Sequence, residues 1–141
     1  MAEIILVTGG ARSGKSTFAE KLALKLGNGR AAYVATAQIF DAEMAERVAV
    51  HKARRDKSWT NFEAPFDAEK ILAEAGGVVL FDCVTIYLSN FLCAANIDDV
   101  EKINCDAENL IGALINAVEN SNATIIFVSN EVGAGIVPEN K

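Results

Sequence analysis

A chain of 141 residues with 51% apolar and 23% charged residues is long enough to bury one core and is read as a single domain over residues 1–141. A net charge of −6, with no run of Lys or Arg longer than two, lacks the electrostatic footprint of a nucleic-acid binder, so a small molecule is the expected partner. Cys83, Cys93 and Cys105 are odd in number and lack the paired spacing of a zinc site; they read as free thiols of a reducing cytoplasm. Met1 is not followed by a basic leader and cleavage site, and no apolar run approaches the ~20 residues that span a bilayer.

In chain order, Glu3 to Thr8 is a short β-branched run ending at Gly9-Gly10 and reads as a buried parallel strand. Lys15 to Leu26 reads as a helix whose stripe is Phe18, Leu22 and Leu26, stopped by Gly27-Asn28-Gly29. Ala31 to Thr36 is the second strand. Asp41 is the N-cap of a helix running to about Lys57, with Met44 and Val48 on its apolar stripe. Ser58 to Pro65 reads as extended, Asp67 to Ala75 as a short helix, and Val78 to Asp82 as a buried strand ending in a carboxylate. Thr85 to Ala95 reads as helical. The 3.6-residue period from Asp99 to Asn120 (Val100, Ile103, Ala107, Leu110, Ile111, Leu114, Ile115, Val118) is the clearest helix. Thr124 to Ser129 is a fourth core strand, followed by a Gly-containing loop to Lys141. Alternating strands and helices predict a parallel sheet covered on both faces, with ligands at the carboxyl ends of the strands.

Gly9-Gly10-Ala11-Arg12-Ser13-Gly14-Lys15-Ser16 carries the Walker A spacing after a strand and before a helix. The glycines let backbone N–H groups turn around phosphates, the helix N-terminus adds its positive dipole end, and Lys15 neutralises β/γ oxygens. Ser16 is placed to hold Mg²⁺. Asp82 fits a Walker B carboxylate that binds the metal through water or directly, although an acid at a strand end also suits the cap of the next helix. The fold class expected is α/β, of the P-loop NTPase type (RecA-like), with a mostly parallel sheet and helices on both faces. A P-loop alone names no reaction.

His51, the single histidine, falls one turn after Arg47 and one turn before Arg55, a spacing that puts all three on one helix face. Two guanidiniums beside an imidazole disfavour its protonation and suit phosphate oxygens, leaving a neutral ring able to attack phosphorus. A surface or core role for a lone histidine stays open on spacing alone.

From Ile4 to Asn140 the chain resembles the bifunctional adenosylcobinamide kinase/adenosylcobinamide-phosphate guanylyltransferases of cobalamin biosynthesis. The resemblance is carried by LVTGGARSGKS (Leu6 to Ser16), YVATAQ (Tyr33 to Gln38), Asp41, Glu43, Met44 and Arg47, His51-Lys52 with Arg55, Trp59, Glu63, and NEVGAGIVPEN (Asn130 to Asn140). It implies phosphorylation of adenosylcobinamide by ATP or GTP with Mg²⁺, then transfer of GMP from GTP through a guanylyl group on His51. It also implies that Ala35, Thr36, Ala37, Lys52, Ala53, Arg54, Arg55, Glu63 and Asp82 line the nucleotide site. Glu63 would accept from guanine N1 and N2 or from ribose. A homo-oligomer is expected if the fold is complete.

Asp82 stands where some relatives carry Glu, which shortens the acid's reach. Relatives also continue past the NEVG segment, so the chain is expected to be shortened at its C-terminus, with an open sheet edge, uncovered apolar surface and lower stability. Two other readings are a plain P-loop kinase with a structural His51, and an inactive GTP-binding fragment.

Overall fold

The computed structural model describes residues 3–10, 14–38, 41–55, 57–94 and 99–130, and within helix α2 the side chains at positions 51 and 54 are outside that description. The described residues form ten elements, strands and helices alternating until α4 and α5 follow one another: β1 (Glu3–Gly9), α1 (Lys15–Leu26), β2 (Ala31–Ala35), α2 (Ala42–Arg54), β3 (Trp59–Glu63), α3 (Ala68–Glu74), β4 (Val78–Asp82), α4 (Val84–Ala94), α5 (Val100–Glu119) and β5 (Thr124–Asn130). The five strands form one sheet in the order β1-β5-β4-β2-β3, and every pairing is parallel. The extended segment from Ser58 is thus a fifth strand, paired with β2 from Ala31↔Trp59 to Ala35↔Glu63.

Parallel strands buried on both faces alternate their side chains between two cores. Val34, Val79, Phe81, Ile125 and Phe127 point to one, where Leu72 of α3, Tyr87 of α4, and Leu114 and Val118 of α5 cover them. Tyr33, Val78, Leu80, Ile126 and Val128 point to the other, beneath Ala19 and Ala23 of α1. The stripe expected on α1 is corrected here. Its buried residues are Ala19 and Ala23 and Leu22 packs against the core as expected, whereas Phe18 is 60% exposed and Leu26 45%. Small side chains bring this helix against the sheet, and Phe18 instead borders a surface depression with Leu6 and Val7 of β1. Strand β1 lies at the sheet edge, and its Ile4 and Leu6 are exposed.

The helix ends have local causes. Gly27 closes α1 with its N–H on the Ala23 carbonyl, and a Cβ there would sit 1.9 Å from the Arg30 oxygen, so no other residue fits. Asp41 and Asp99 cap α2 and α5, accepting from the backbone N–H of Met44 at 2.7 Å and Lys102 at 3.0 Å. Helix α2 stops at Arg54, short of the expected Lys57, because Arg55 adopts extended backbone and the chain must reach β3 at Trp59. Asp67 has a left-handed φ of 57° and gives α3 no side-chain cap. The hydroxyl of Tyr87 accepts the Ala68 N–H at 3.0 Å in its place.

Candidate functional site

The carboxyl ends of the strands set two acids, Glu63 and Asp82, and the start of the P-loop along one edge. Ala35 is in register with Glu63 on one side and Asp82 on the other, so the two carboxylates stand two strand spacings apart, about 10 Å. On the far side, Gly9 of β1 pairs with Asn130 of β5, which places the start of the NEVG segment beside the P-loop strand. Residues 131–141 of that segment lie outside the described residues, as do Ala11, Arg12 and Ser13 of the P-loop.

Gly14 has a φ of 85°, a left-handed conformation that glycine adopts without steric cost. It turns the chain from the loop into α1, and its carbonyl accepts the Phe18 N–H at 3.0 Å. Lys15 folds back so that Nζ donates to the Gly10 carbonyl at 3.2 Å. Its ammonium is thereby held beside Gly10, at a helix N-terminus suited to phosphate.

A cleft of about 520 Å³ opens beside this turn, within the size range of small-molecule sites. Its walls are Ser16 and Glu20 from α1, Tyr33 and Ala35 from β2, Ala37 and Gln38 after it, Val48 and Arg55 from the α2 region, Glu63, Pro65 and Phe66 from β3 and its loop, and Asp82 and Ile86. Of the residues expected from sequence, Ser16, Ala35, Ala37, Arg55, Glu63 and Asp82 therefore share one cavity. Gly9, Gly14 and Lys15 instead border a second depression with Leu6, Val7, Thr8 and Phe18.

Thr36 does not reach the cleft. It is fully buried, its hydroxyl accepts the Cys83 N–H at 2.9 Å, and it lies 3.1 Å from the carbonyls of Asp82 and Cys83. Asn90 adds a bond from Nδ2 to the Thr36 carbonyl at 2.7 Å and to that of Pro65 at 3.2 Å. This buried network ties the ends of β2 and β4 and the Pro65 loop to α4 and so fixes the cleft floor. Lys52 and Ala53 are exposed on α2 and are not among the cleft walls.

The shared face of Arg47, His51 and Arg55 requires correction, because Arg55 lies past the last helical residue. Arg47 borders a separate depression with Glu43, Glu46 and Val50. Arg55 stacks its guanidinium 3.7 Å over the Tyr33 ring and donates from Nε to Asn61 Oδ1 at 2.7 Å. The Tyr33 hydroxyl donates in turn to Asp82 Oδ2. Burial, reinforced by the Asp82 charge, holds the Tyr33 phenol far above its ordinary pKa, and burial raises the Cys83 thiol. His51 occupies the α2 position between Val48 and Arg55, both of which face the cleft.

Several cleft residues escaped the sequence reading. Glu20 carried a signal, since it follows Ser16 by one helical turn on the same face. Tyr33 stands at the head of the YVATAQ match, whereas Phe66 and Ile86 carried no signal, because an aromatic or aliphatic residue at a strand or loop end reads equally well as core.

Among the described residues no three His, Cys, Asp or Glu side chains converge as a metal cage. One hydroxyl and one carboxylate, Ser16 and Asp82, on the wall of one cleft suit Mg²⁺, which takes few protein ligands and fills the rest of its shell with phosphate oxygens and water. No helix among the described residues is long and apolar enough to cross a membrane.

The bifunctional adenosylcobalamin biosynthesis protein CobP of Pseudomonas aeruginosa is 43% identical over 136 residues, a match covering 94% of this chain and 74% of that protein. The bifunctional adenosylcobalamin biosynthesis protein CobU of Escherichia coli is 37% identical, covering 98% of this chain and 80% of that protein. Among solved structures, the RadB recombinase superposes with a TM-score of 0.54 at 18% identity over 97% of this chain and 66% of that one. That likeness concerns the fold, which together with β5 inserted between the P-loop strand and β4 is the expected α/β, RecA-like one. The family model described as cobinamide kinase / cobinamide phosphate guanyltransferase matches residues 5–141, and with relatives this similar over nearly the whole chain, the protein belongs to that family of enzymes.

Proposed function

We propose that the chain phosphorylates the aminopropanol hydroxyl of adenosylcobinamide with ATP or GTP, and then transfers GMP from GTP to the resulting adenosylcobinamide phosphate. Family membership supports the reaction class. The observation that carries the chemistry is the meeting of Ser16, Glu63 and Asp82 in one cleft with Val48 of α2 and Arg55 just past it, the residues on either side of position 51 in the chain.

In the first step the P-loop backbone and Lys15 hold the β- and γ-phosphates, and the substrate hydroxyl takes the γ-phosphoryl group. Ser16 and Asp82 would hold Mg²⁺, which supplies charge neutralisation at the phosphates. In the second step an imidazole nitrogen of His51 attacks the α-phosphorus of GTP; the N–P bond forms, the α–β bridging P–O bond breaks, and pyrophosphate leaves. A phosphate oxygen of adenosylcobinamide phosphate then attacks the same phosphorus, the N–P bond breaks, and His51 is regenerated with adenosylcobinamide-GDP released. Glu63, at the end of the edge strand β3, accepts hydrogen bonds from guanine N1 and N2 or from ribose.

The test is incubation of the folded chain with Mg²⁺ and GTP labelled at the α-phosphate, followed by denaturation. Protein-bound label that is acid-labile, base-stable and missing from His51→Ala is the expected result. Intact GTP binding with no label on the wild-type chain would sink the covalent step.

A further inference from the structure

Tyr33 is an unusual residue to find at the floor of a phosphate site. Its ring is buried in the α1-side core, where phenylalanine would pack as well, yet its hydroxyl emerges at the cleft wall and donates to Asp82 Oδ2. The register explains the reach: Tyr33 pairs with Leu80 and Ala35 with Asp82, so Tyr33 and Asp82 are diagonal neighbours on one face of adjacent strands. Two contacts keep the ring from turning away. Trp59 meets it edge-on at 5.7 Å between centroids, and the Arg55 guanidinium covers it at 3.7 Å, itself tethered to Asn61. Asn61 is the β3 residue in register with Tyr33, so the clamp is built across three neighbouring strands.

We propose that Tyr33 is a positioning residue for Asp82: its clamped hydroxyl occupies Oδ2 and fixes the carboxylate plane, leaving Oδ1 as the oxygen presented to a nucleotide-bound divalent cation. This rests on the proposed role of Asp82 in holding the cation. A strand-end aspartate has two free side-chain torsions, and a hydrogen bond from a locked donor removes that freedom before the nucleotide arrives. Outer partners of this kind change metal affinity or turnover by about 10–100-fold when removed.

The experiment is titration of Mg²⁺ into the folded chain bound to a fluorescent GTP analogue, with binding in EDTA as reference, for the wild-type chain, Tyr33→Phe, Asp82→Asn and the double variant. Tyr33→Phe keeps the ring for Trp59 and Arg55. It is expected to bind the analogue in EDTA like wild type and to need about 10-fold more Mg²⁺ for the same enhancement. Kinase turnover should fall while KM for the corrinoid holds. In the Asp82→Asn background, Tyr33→Phe should add nothing, because the hydroxyl acts through that carboxylate. A Mg²⁺ requirement in Tyr33→Phe equal to or below wild type, or losses that add in the double variant, would overturn the proposal. A wild-type chain that binds the analogue with no Mg²⁺ enhancement would instead remove the role of Asp82 on which the proposal stands.

Discussion

Thr36→Val removes a hydroxyl that faces no solvent and keeps the side chain's shape. The buried network fixes the size of the effect. The Asp82 carbonyl retains the Thr36 N–H at 3.1 Å, and the Cys83 carbonyl retains the Tyr87 N–H at 3.1 Å. The Cys83 N–H, however, loses its acceptor at 2.9 Å in a region where Thr36 and Cys83 are both shielded from water. One orphaned buried donor costs about 1–3 kcal/mol. With a urea slope of about 1–3 kcal/mol per molar, the unfolding midpoint should fall by about 1 M with the slope unchanged. Thr36→Ser, which keeps the oxygen and loses only a methyl group, should fall by less. If Thr36→Val unfolds like the wild-type chain and instead loses nucleotide affinity, the hydroxyl belongs to the cleft and the argument fails.

Lys15→Ala should weaken triphosphate binding and suppress both phosphoryl and guanylyl transfer, whereas His51→Ala should suppress guanylyl transfer alone; matched loss of both activities in the His51 variant, followed with separate assays, would contradict distinct roles. Alkaline stability offers a check on Tyr87, whose phenol is raised by burial above its ordinary value of 10.0. Above that value the unfolded chain releases this proton while the folded chain retains it, so stability falls as pH rises. Tyr87→Phe should make the decline shallower in urea titrations from pH 9 to 11, and should also lower stability at neutral pH, because the Ala68 N–H loses its acceptor.

Elements with a strong period and local punctuation were legible from sequence. Strand β4 and helix α1 have the expected bounds, and the Asp41 and Asp99 positions fall where their carboxylates cap. The P-loop context followed from the same signals. What sequence left hidden depends on tertiary contact. Of the stripe Phe18, Leu22 and Leu26 only Leu22 packs against the core, and α1 otherwise meets the sheet through Ala19 and Ala23, because close approach to the sheet favours small side chains over long ones. Thr36 sits inside a motif that suggests ligand contact, and only the pairing of β2 with β4 reveals that its hydroxyl is already used. Arg55 counts as one helical turn from His51, yet the helix has ended before it. The tie between Tyr33 and Asp82 joins residues 49 positions apart and leaves no local trace.

Helix α2 differs from the rest of the fold in how it is held. None of its described side chains is buried, and Met44 and Val48 are only half-covered, so it draws little stabilisation from the core. At 13 residues it is also near the length at which an isolated helix is marginal in water. The Asp41 cap only closes its own first turn, while Arg55 over Tyr33 ties its far end to the sheet. A ligand that bridges α2 to the P-loop therefore adds contacts that this helix lacks, and binding energy appears as local stability. Amide exchange in α2 should be fast in the free chain and slow markedly with saturating GTP and Mg²⁺, while β4 and β5, already paired on both sides, should change little. Equal protection of α2 with and without nucleotide would refute the placement of the ligand between α1 and α2.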